Sequence, residues 1–455
     1  MTKSTCQSLR RSAERLRRPS IGAAALTMVL VLFFVMAMVT AYTSRSLLYE
    51  QRMSINNFRA SASISAADAG IDWTIAMLNG ARVDANCEAP VGPTAADVDF
   101  RSRYLTRQDD GRYASIKYPS GTASAPTSSQ FNPTCAMKST GWSCKCPDLT
   151  TPVPALNYAA QSAPIFNVAV SPTNITLSAP GAVLIETRGS HESSLAQSFG
   201  TPGNYMRLSV IAGLARALPV PPLAALTAGN TITMTGSNLL TVSNTDPLSG
   251  MTLHAGNGVT ATNQRLVGPA GSVAETSAPT DAVLLSYTTQ PAPPDTTFKP
   301  TGLTSWQLFL TMFGMDAATF SRQPGAVFVN CSGGCSTTSI ETLVANNPSR
   351  VIWIDGDINL NAAATLGSAA QPLMLVASGD ITLSAPVQIN GFIYGRDIAW
   401  QAAGSVVRGA AVAARNFNGE SDVTIAYDAT ILQRISVGHG SFVRLPGSWA
   451  IRTAF

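Results

Sequence analysis

The residues best placed to do chemistry lie in "WIDGDINLN", where Asp355, Asp357 and Asn359 alternate. On a strand, alternate residues share one face. Two carboxylates and an amide would then present the oxygen ligands that calcium takes. No bidentate glutamate follows at EF-hand spacing, and polar turn-and-ladder roles are the simpler expectation. Further ionisable candidates along 351–443 are Asp380, Arg396, Asp397, Arg408, Arg415, Glu420, Asp422, Asp428 and Arg434. A hydrolytic or lyase site would need several of these in one groove. Most stand at turns, where Asp is favoured anyway. Arg396 and Arg415 occupy matching positions of a repeat, which speaks for architecture. His191, His254 and His439 stand alone, without the His-x-x-x-His spacing of a zinc helix, and read as surface side chains. "GHGS" is not a nucleophile elbow, and no phosphate loop or nucleotide fingerprint occurs. The expectation is a protein that is not an enzyme, with no cofactor and no metal centre.

Cysteine chemistry is the next candidate. Cys6 lies in a basic leader, which leaves Cys87, Cys135, Cys144, Cys146, Cys331 and Cys335. All six sit in Pro/Gly/Ser-rich stretches beyond an apolar run, which suits disulfides in an oxidising compartment. "SCKC" has the wrong spacing for a zinc knuckle, and "CSGGC" could close a tight local loop. Free thiols or a metal remain the alternatives, and the pairing is open.

The elements that would carry these residues belong to a weakly charged, turn-rich chain. Its 455 residues suffice for two or three domains, and only 12 % are charged while 45 % are hydrophobic. The net charge of +4 is carried by the leader, where Lys3, Arg10, Arg11, Arg15, Arg17 and Arg18 face only Glu14. The remainder is near neutral, so no nucleic-acid surface is expected.

From residue 21 to 42 no charge occurs. As a helix this run spans roughly 33 Å, enough to cross a bilayer. The basic residues before it predict a cytoplasmic N-terminus. The run is too long for a secretory signal, and no Ala-x-Ala cleavage site stands out. Leu48, Ile55, Phe58, Ile64, Ile71, Ile75 and Leu78 then recur at helical spacing, without proline. One helix over about 23–79 is expected, stopped at Gly80; an anchor with a separate juxtamembrane helix is the competing arrangement.

This order of leader, Gly22, small apolar run and amphipathic extension resembles a type IV prepilin, and more closely the PilX-type pilus assembly proteins. "SIGAAALTMVLVL" resembles that family's start, and "SAADAGIDWTIAMLN" its helix-closing element at Ala66, Ala67, Asp68, Ala69 and Gly70. The resemblance implies cleavage by prepilin peptidase between Gly22 and Ala23 and methylation of the new amine. It implies a membrane and assembly helix carrying Leu26, Thr27, Val31, Phe33, Phe34 and Met38. The implied partners are membrane lipid, major and minor pilins and the inner-membrane assembly platform of a Gram-negative bacterium. The family pattern is broken at Thr27, where major pilins carry a glutamate that pairs with a neighbour's amine. A chain without it suits a filament tip, priming or capping assembly.

Beyond the helix, 81–154 reads as loops and "FNVAVSP", "AVLIETRG" and "YMRLSVIAGLARAL" as strands. The resemblance implies a small α/β region over 81–218 packed on the helix. "GNTITMTGSN", "GDINLNAAA", "GDITLSAPV" and "RDIAWQAAG" repeat a turn residue followed by alternating apolar positions. Turns recur every 17–25 residues or roughly so, as in a solenoid coil. The fold class expected is therefore α+β, with a right-handed β-helix-like solenoid within 219–455 and a helical insertion near 302–322. Residues 226–263 are expected as an earlier part of that stack, and Trp449 as the plug on its last coil. A sandwich of short strands is the alternative. The outward head suggests adhesion to a host or surface ligand. The competing functions are the tip pseudopilin of a type II secretion system and an anchored adhesin or carbohydrate-binding β-helix outside any filament.

Overall fold

The computed structural model describes residues 21–91, 97–108, 111–115, 132–147, 163–172, 180–191, 205–270, 283–286 and 305–452. The basic leader, with Cys6, lies outside them. The chain divides into two compact units, Met1–Ser61 and Ala62–Phe455. The described part of the first, residues 21–61, is the leading stretch of a continuous helix, Ile21–Leu78. The second holds the end of that helix and a β-rich head.

Within the head, a seven-stranded antiparallel sheet receives the helix end. Its order is Gly440–Arg444, Met206–Arg216, Ala182–Ser190, Ile165–Pro172, Thr134–Lys138 and Gly141–Lys145, with Ala450–Arg452 also on Met206–Arg216. Burial alternates along Ala182–Ser190, as one covered face requires. Ser63, Ala66, Ala67, Gly70, Ile71, Thr74 and Leu78 recur at helical spacing and are all buried. Ala67, Ile71 and Leu78 join Phe100, Phe166, Val168, Ile185, Leu208 and Phe442 in one core. The loops expected over 81–154 include short paired segments. Arg82–Val83 pairs Val98–Asp99, Leu105–Arg107 pairs Tyr113–Ser115, and Asp99 caps a helical turn at Phe100–Tyr104. Pieces of two to five residues are too short for periodicity to reveal.

The larger part of the head is a curled parallel sheet whose strands stack in three ladders. The first runs through Val351–Ile354, Leu373–Ala377, Gly391–Gly395, Gly409–Ala413, Ala224–Ala228 and Met251–Ala255. A second joins Ile358–Leu360, Ile381–Leu383, Ile398–Trp400, Phe417–Gly419, Thr231–Met234 and Gly258–Thr260. Val406–Gly409, Val423–Tyr427, Leu239–Ser243 and Asn263–Val267 continue the third.

Sequence patterning explains which faces are covered. In the first ladder Ile352, Ile354, Leu375 and Ile393 fill the interior, while Trp353, Met374, Val376, Phe392 and Tyr394 pack outward. Helices Ser305–Phe313, Ala317–Ser321 and Ala429–Gly438 supply Phe309, Phe313, Phe320, Leu432 and Ile435 to that outer face. Strands buried on both sides read as continuous apolar runs, as "LMLVA" does. The second ladder has one covered face, and its strands Ile381–Leu383, Ile398–Trp400 and Phe417–Gly419 alternate buried and half-buried.

Two expectations are corrected here. Residues 224–267 follow the last coil of the stack instead of preceding its first, because Ala224–Ala228 pairs Gly409–Ala413 while Val351–Leu360 pairs Ala326–Ser336. Trp449 plugs nothing: it is 45 % exposed beside the antiparallel sheet, and the coil it was expected to cover is covered by 224–243.

Candidate functional site

The first candidate site is the apolar helix itself. Leu26, Val31, Phe33, Phe34 and Met38 are each more than half exposed. The helix is long and apolar enough to cross a membrane. Its hydroxyls are turned onto its own backbone: Thr40 Oγ1 donates to Met36 O at 2.7 Å, Thr43 Oγ1 to Val39 O at 2.9 Å and Ser44 Oγ to Ala41 O at 3.0 Å. A hydroxyl satisfied in this way can sit in hydrocarbon without losing a hydrogen bond. Gly22 and Ala23 fall at the start of the helix, where only the backbone is described.

The small-residue element 66–70 has a clear task within the head. A Cβ on Gly70 would stand 3.0 Å from the Phe166 ring, and one on Gly189, which faces the preceding turns of the helix, 2.1 Å from Ser63 O and 2.3 Å from Ala67 N. Ala66 and Ala67 are fully or almost fully buried, and Thr187 Oγ1 donates to Ala67 O at 2.8 Å. Helix and strand backbones thus meet with no side chain between them. Asp68 stays at the rim, where Arg444 bridges it at 3.2 Å and Asp72 at 3.3 Å. Asn79 closes the helix by exchanging two hydrogen bonds with the Phe442 backbone, at 2.7 and 2.9 Å.

The carboxylates of "WIDGDINLN" do share one face, and each turns to the neighbouring coil. Asp355 accepts from Ser378 Oγ at 2.9 Å, Asp357 from the Asp380 N–H at 2.8 Å and Asn359 from Ser384 Oγ at 2.5 Å. From Asp357 a side-chain ladder climbs the corner of the sheet through Asp380, Asp397, Asn416, Asn230 and Asn257. Arg396 and Arg415 are part of it. Arg396 Nε meets Asp380 at 2.7 Å, Arg396 Nη2 lies 3.6 Å from Asp357, and Arg415 pairs with Asp397. The hydrogen bond from Arg396 holds the Asp380 carboxyl below its usual range. Among the described residues no group of three His, Cys, Asp or Glu could hold a metal ion.

The other ionisable candidates lie apart from one another in structural roles. Asp422 accepts from the Leu239 N–H at 2.8 Å, Asp428 caps helix Ala429–Gly438, Arg434 donates to Ala369 O at 2.6 Å, and Glu420 accepts from Gln401. His439 is not a surface residue but 1 % exposed. It follows the buried face of helix Ala429–Gly438 and precedes strand Gly440–Arg444, whose first three residues are buried against Met206–Arg216. Burial, with repulsion from Arg107 and Arg101, pushes its pKa down to about 3.

The cysteines form Cys87–Cys146, Cys135–Cys144 and Cys331–Cys335. The second bridges the hairpin Thr134–Lys138/Gly141–Lys145, and the third closes the "CSGGC" loop on strand Ala326–Ser336. Sequence reading passed over Arg101, which is 8 % exposed and ties the helix end to the chain around Gly440. Nothing in "DFRSRY" marks its first arginine as the buried one.

No family model and no curated protein matches the chain. Among solved structures, the crystal structure of the competence-associated pilin ComZ from Thermus thermophilus is similar over 87 % of this chain and 98 % of that one, at 10 % identity and a TM-score of 0.22. A likeness at that score carries no argument about fold or function.

Proposed function

We propose that this chain is a non-enzymatic minor pilin of the PilX type, held by its apolar helix first in the inner membrane and then in a pilus filament. The observation that carries the reading is the helix Ile21–Leu78, free of charge from 21 to 42 and exposed along its first half, with small residues seating its end on an antiparallel sheet. Exposed apolar surface of this extent needs lipid or other helices around it. Hydrophobic packing against other pilins is the mechanism; priming or capping assembly at the tip, where Thr27 replaces the shaft glutamate, is the role. Three parallel ladders around one apolar interior favour a solenoid reading of the curled sheet, and its outward surface is the candidate for adhesion.

The test is the mass of the N-terminal peptide from the native host, with and without prepilin peptidase. A methylated start at Ala23, lost without the peptidase, is expected. A start at Met1 or Thr2 would make the helix a plain anchor and refute the pilin reading.

A further inference from the structure

Two adjoining cavities in the head, of about 180 and 220 Å³, share Ser349 and Gln371 as walls. Arg101 and Arg107 line one, Arg82 and Arg350 the other. Among the described lining residues the carboxylate is Asp99, and it is committed to capping, accepting from the Ser102 N–H at 3.1 Å.

The buried guanidinium groups here are held by neutral oxygens. Arg101 donates to Leu78 O, to Gly440 O at 2.9 Å and to Asn79 Oδ1 at 3.3 Å. Arg350 donates to Pro324 O at 3.1 Å, to Ala326 O and Asn347 Oδ1 at 3.3 Å, and to Gly325 O at 3.4 Å. Arg82 is half-buried, and its Nε is enclosed without a hydrogen-bond partner. Desolvation and the nearby Arg101, offset in part by Asp99, lower the pKa of Arg350 to about 10. Cations taken from water without counter-charge are costly. Guanidinium forks match the oxygens of tetrahedral oxyanions.

We propose that this cleft binds a phosphate-sized oxyanion, as free phosphate or as the phosphoryl group of a small monoester. Arg82 and Arg350 contact it, and Arg101 supplies a fixed positive field from the adjoining cavity. Arg82 comes from the first short strand after the long helix and Arg350 from the turn entering the curled sheet, so a bound anion would also join these two parts of the head.

The experiment follows thermal unfolding of the full chain in detergent micelles. Inorganic phosphate and glycerol 3-phosphate are titrated separately against chloride at matched ionic strength. At about 100-fold excess over Kd, phosphate should lower the unfolding equilibrium constant about 100-fold. Arg82→Gln gives up no Nε hydrogen bond, so it should fold as the parent does in chloride while binding phosphate about tenfold or more weakly. Arg265→Gln, on the exposed strand Asn263–Val267, should respond as the parent does. Stabilisation by phosphate alone assigns the bare ion, and stabilisation by both compounds assigns a site open to monoesters. No stabilisation beyond chloride, or a full response in Arg82→Gln, overturns the proposal.

Discussion

Gly189→Ala tests whether the long helix is seated on the antiparallel sheet by backbone contact. The added methyl would stand 2.1 Å from Ser63 O and 2.3 Å from Ala67 N. Both are backbone atoms and cannot rotate away. Ordinary contact requires the helix to retreat by about 1 Å or more. That retreat breaks the 2.8 Å bond from Thr187 Oγ1 to Ala67 O, worth about 1 kcal/mol. It also loosens Gly70 from the Phe166 ring, and overpacking of this kind costs about 1–3 kcal/mol. A loss of about 2–4 kcal/mol is therefore expected. Urea unfolding followed by far-ultraviolet circular dichroism and tryptophan fluorescence measures it; Trp73 lies 5.7 Å from Phe166 and should report the loosened contact. Gly333→Ala, where a Cβ meets nothing within 4 Å, should change stability by less than about 0.5 kcal/mol. Equal stability of Gly189→Ala and the parent would refute the close seating.

Three further outcomes are expected. Asp397→Ala, which leaves the Asn416 N–H and Arg415 without their acceptor, should cost about 1–3 kcal/mol in urea unfolding, and Asp397→Asn clearly less. His439 has a folded pKa below its unfolded value, so stability is full above about pH 6.5 and declines as the pH falls towards 3; between pH 6.5 and 5 the parent should lose about 2 kcal/mol more than His439→Gln, read from unfolding midpoints. Replacing Cys87 and Cys146 by serine opens a closure of 59 residues and should cost about 4 kcal/mol, against about 2 for Cys331 and Cys335, whose separation is 4.

Much of this architecture is written locally. The charge-free run, the helical spacing of Ile64, Ile71 and Leu78 and the strand alternation each reflect one element burying one face. Asp357, Asp380 and Asp397 were legible as corners because short polar side chains suit turns, and the matching positions of Arg396 and Arg415 pointed to architecture, though not to the ion pairs they make. What stayed hidden is non-local. Strands of similar pattern can pair in several orders, and nothing in "GNTITMTGSN" says that its neighbour is Phe417–Gly419. "GSFVR" and "AIR" are too short to announce that they complete the antiparallel sheet. Cysteine pairing depends on which hairpins meet. The arginine cleft draws on residues hundreds of positions apart, each unremarked in its own segment.

The order in which strands join the curled sheet also sets a timetable for folding. Residues 224–243 need 406–427 as their neighbour, and the bond from the Leu239 N–H to Asp422 joins residues 183 positions apart. At about 5–20 residues per second, roughly 10–40 s separate the appearance of the two partners. During that interval one edge of the parallel strand set waits unpaired, a template for the wrong neighbour. The antiparallel sheet waits longer still, for the strands at 440–452. A copy truncated before 406 would carry that open edge permanently, exposed to proteolysis and to pairing with other chains.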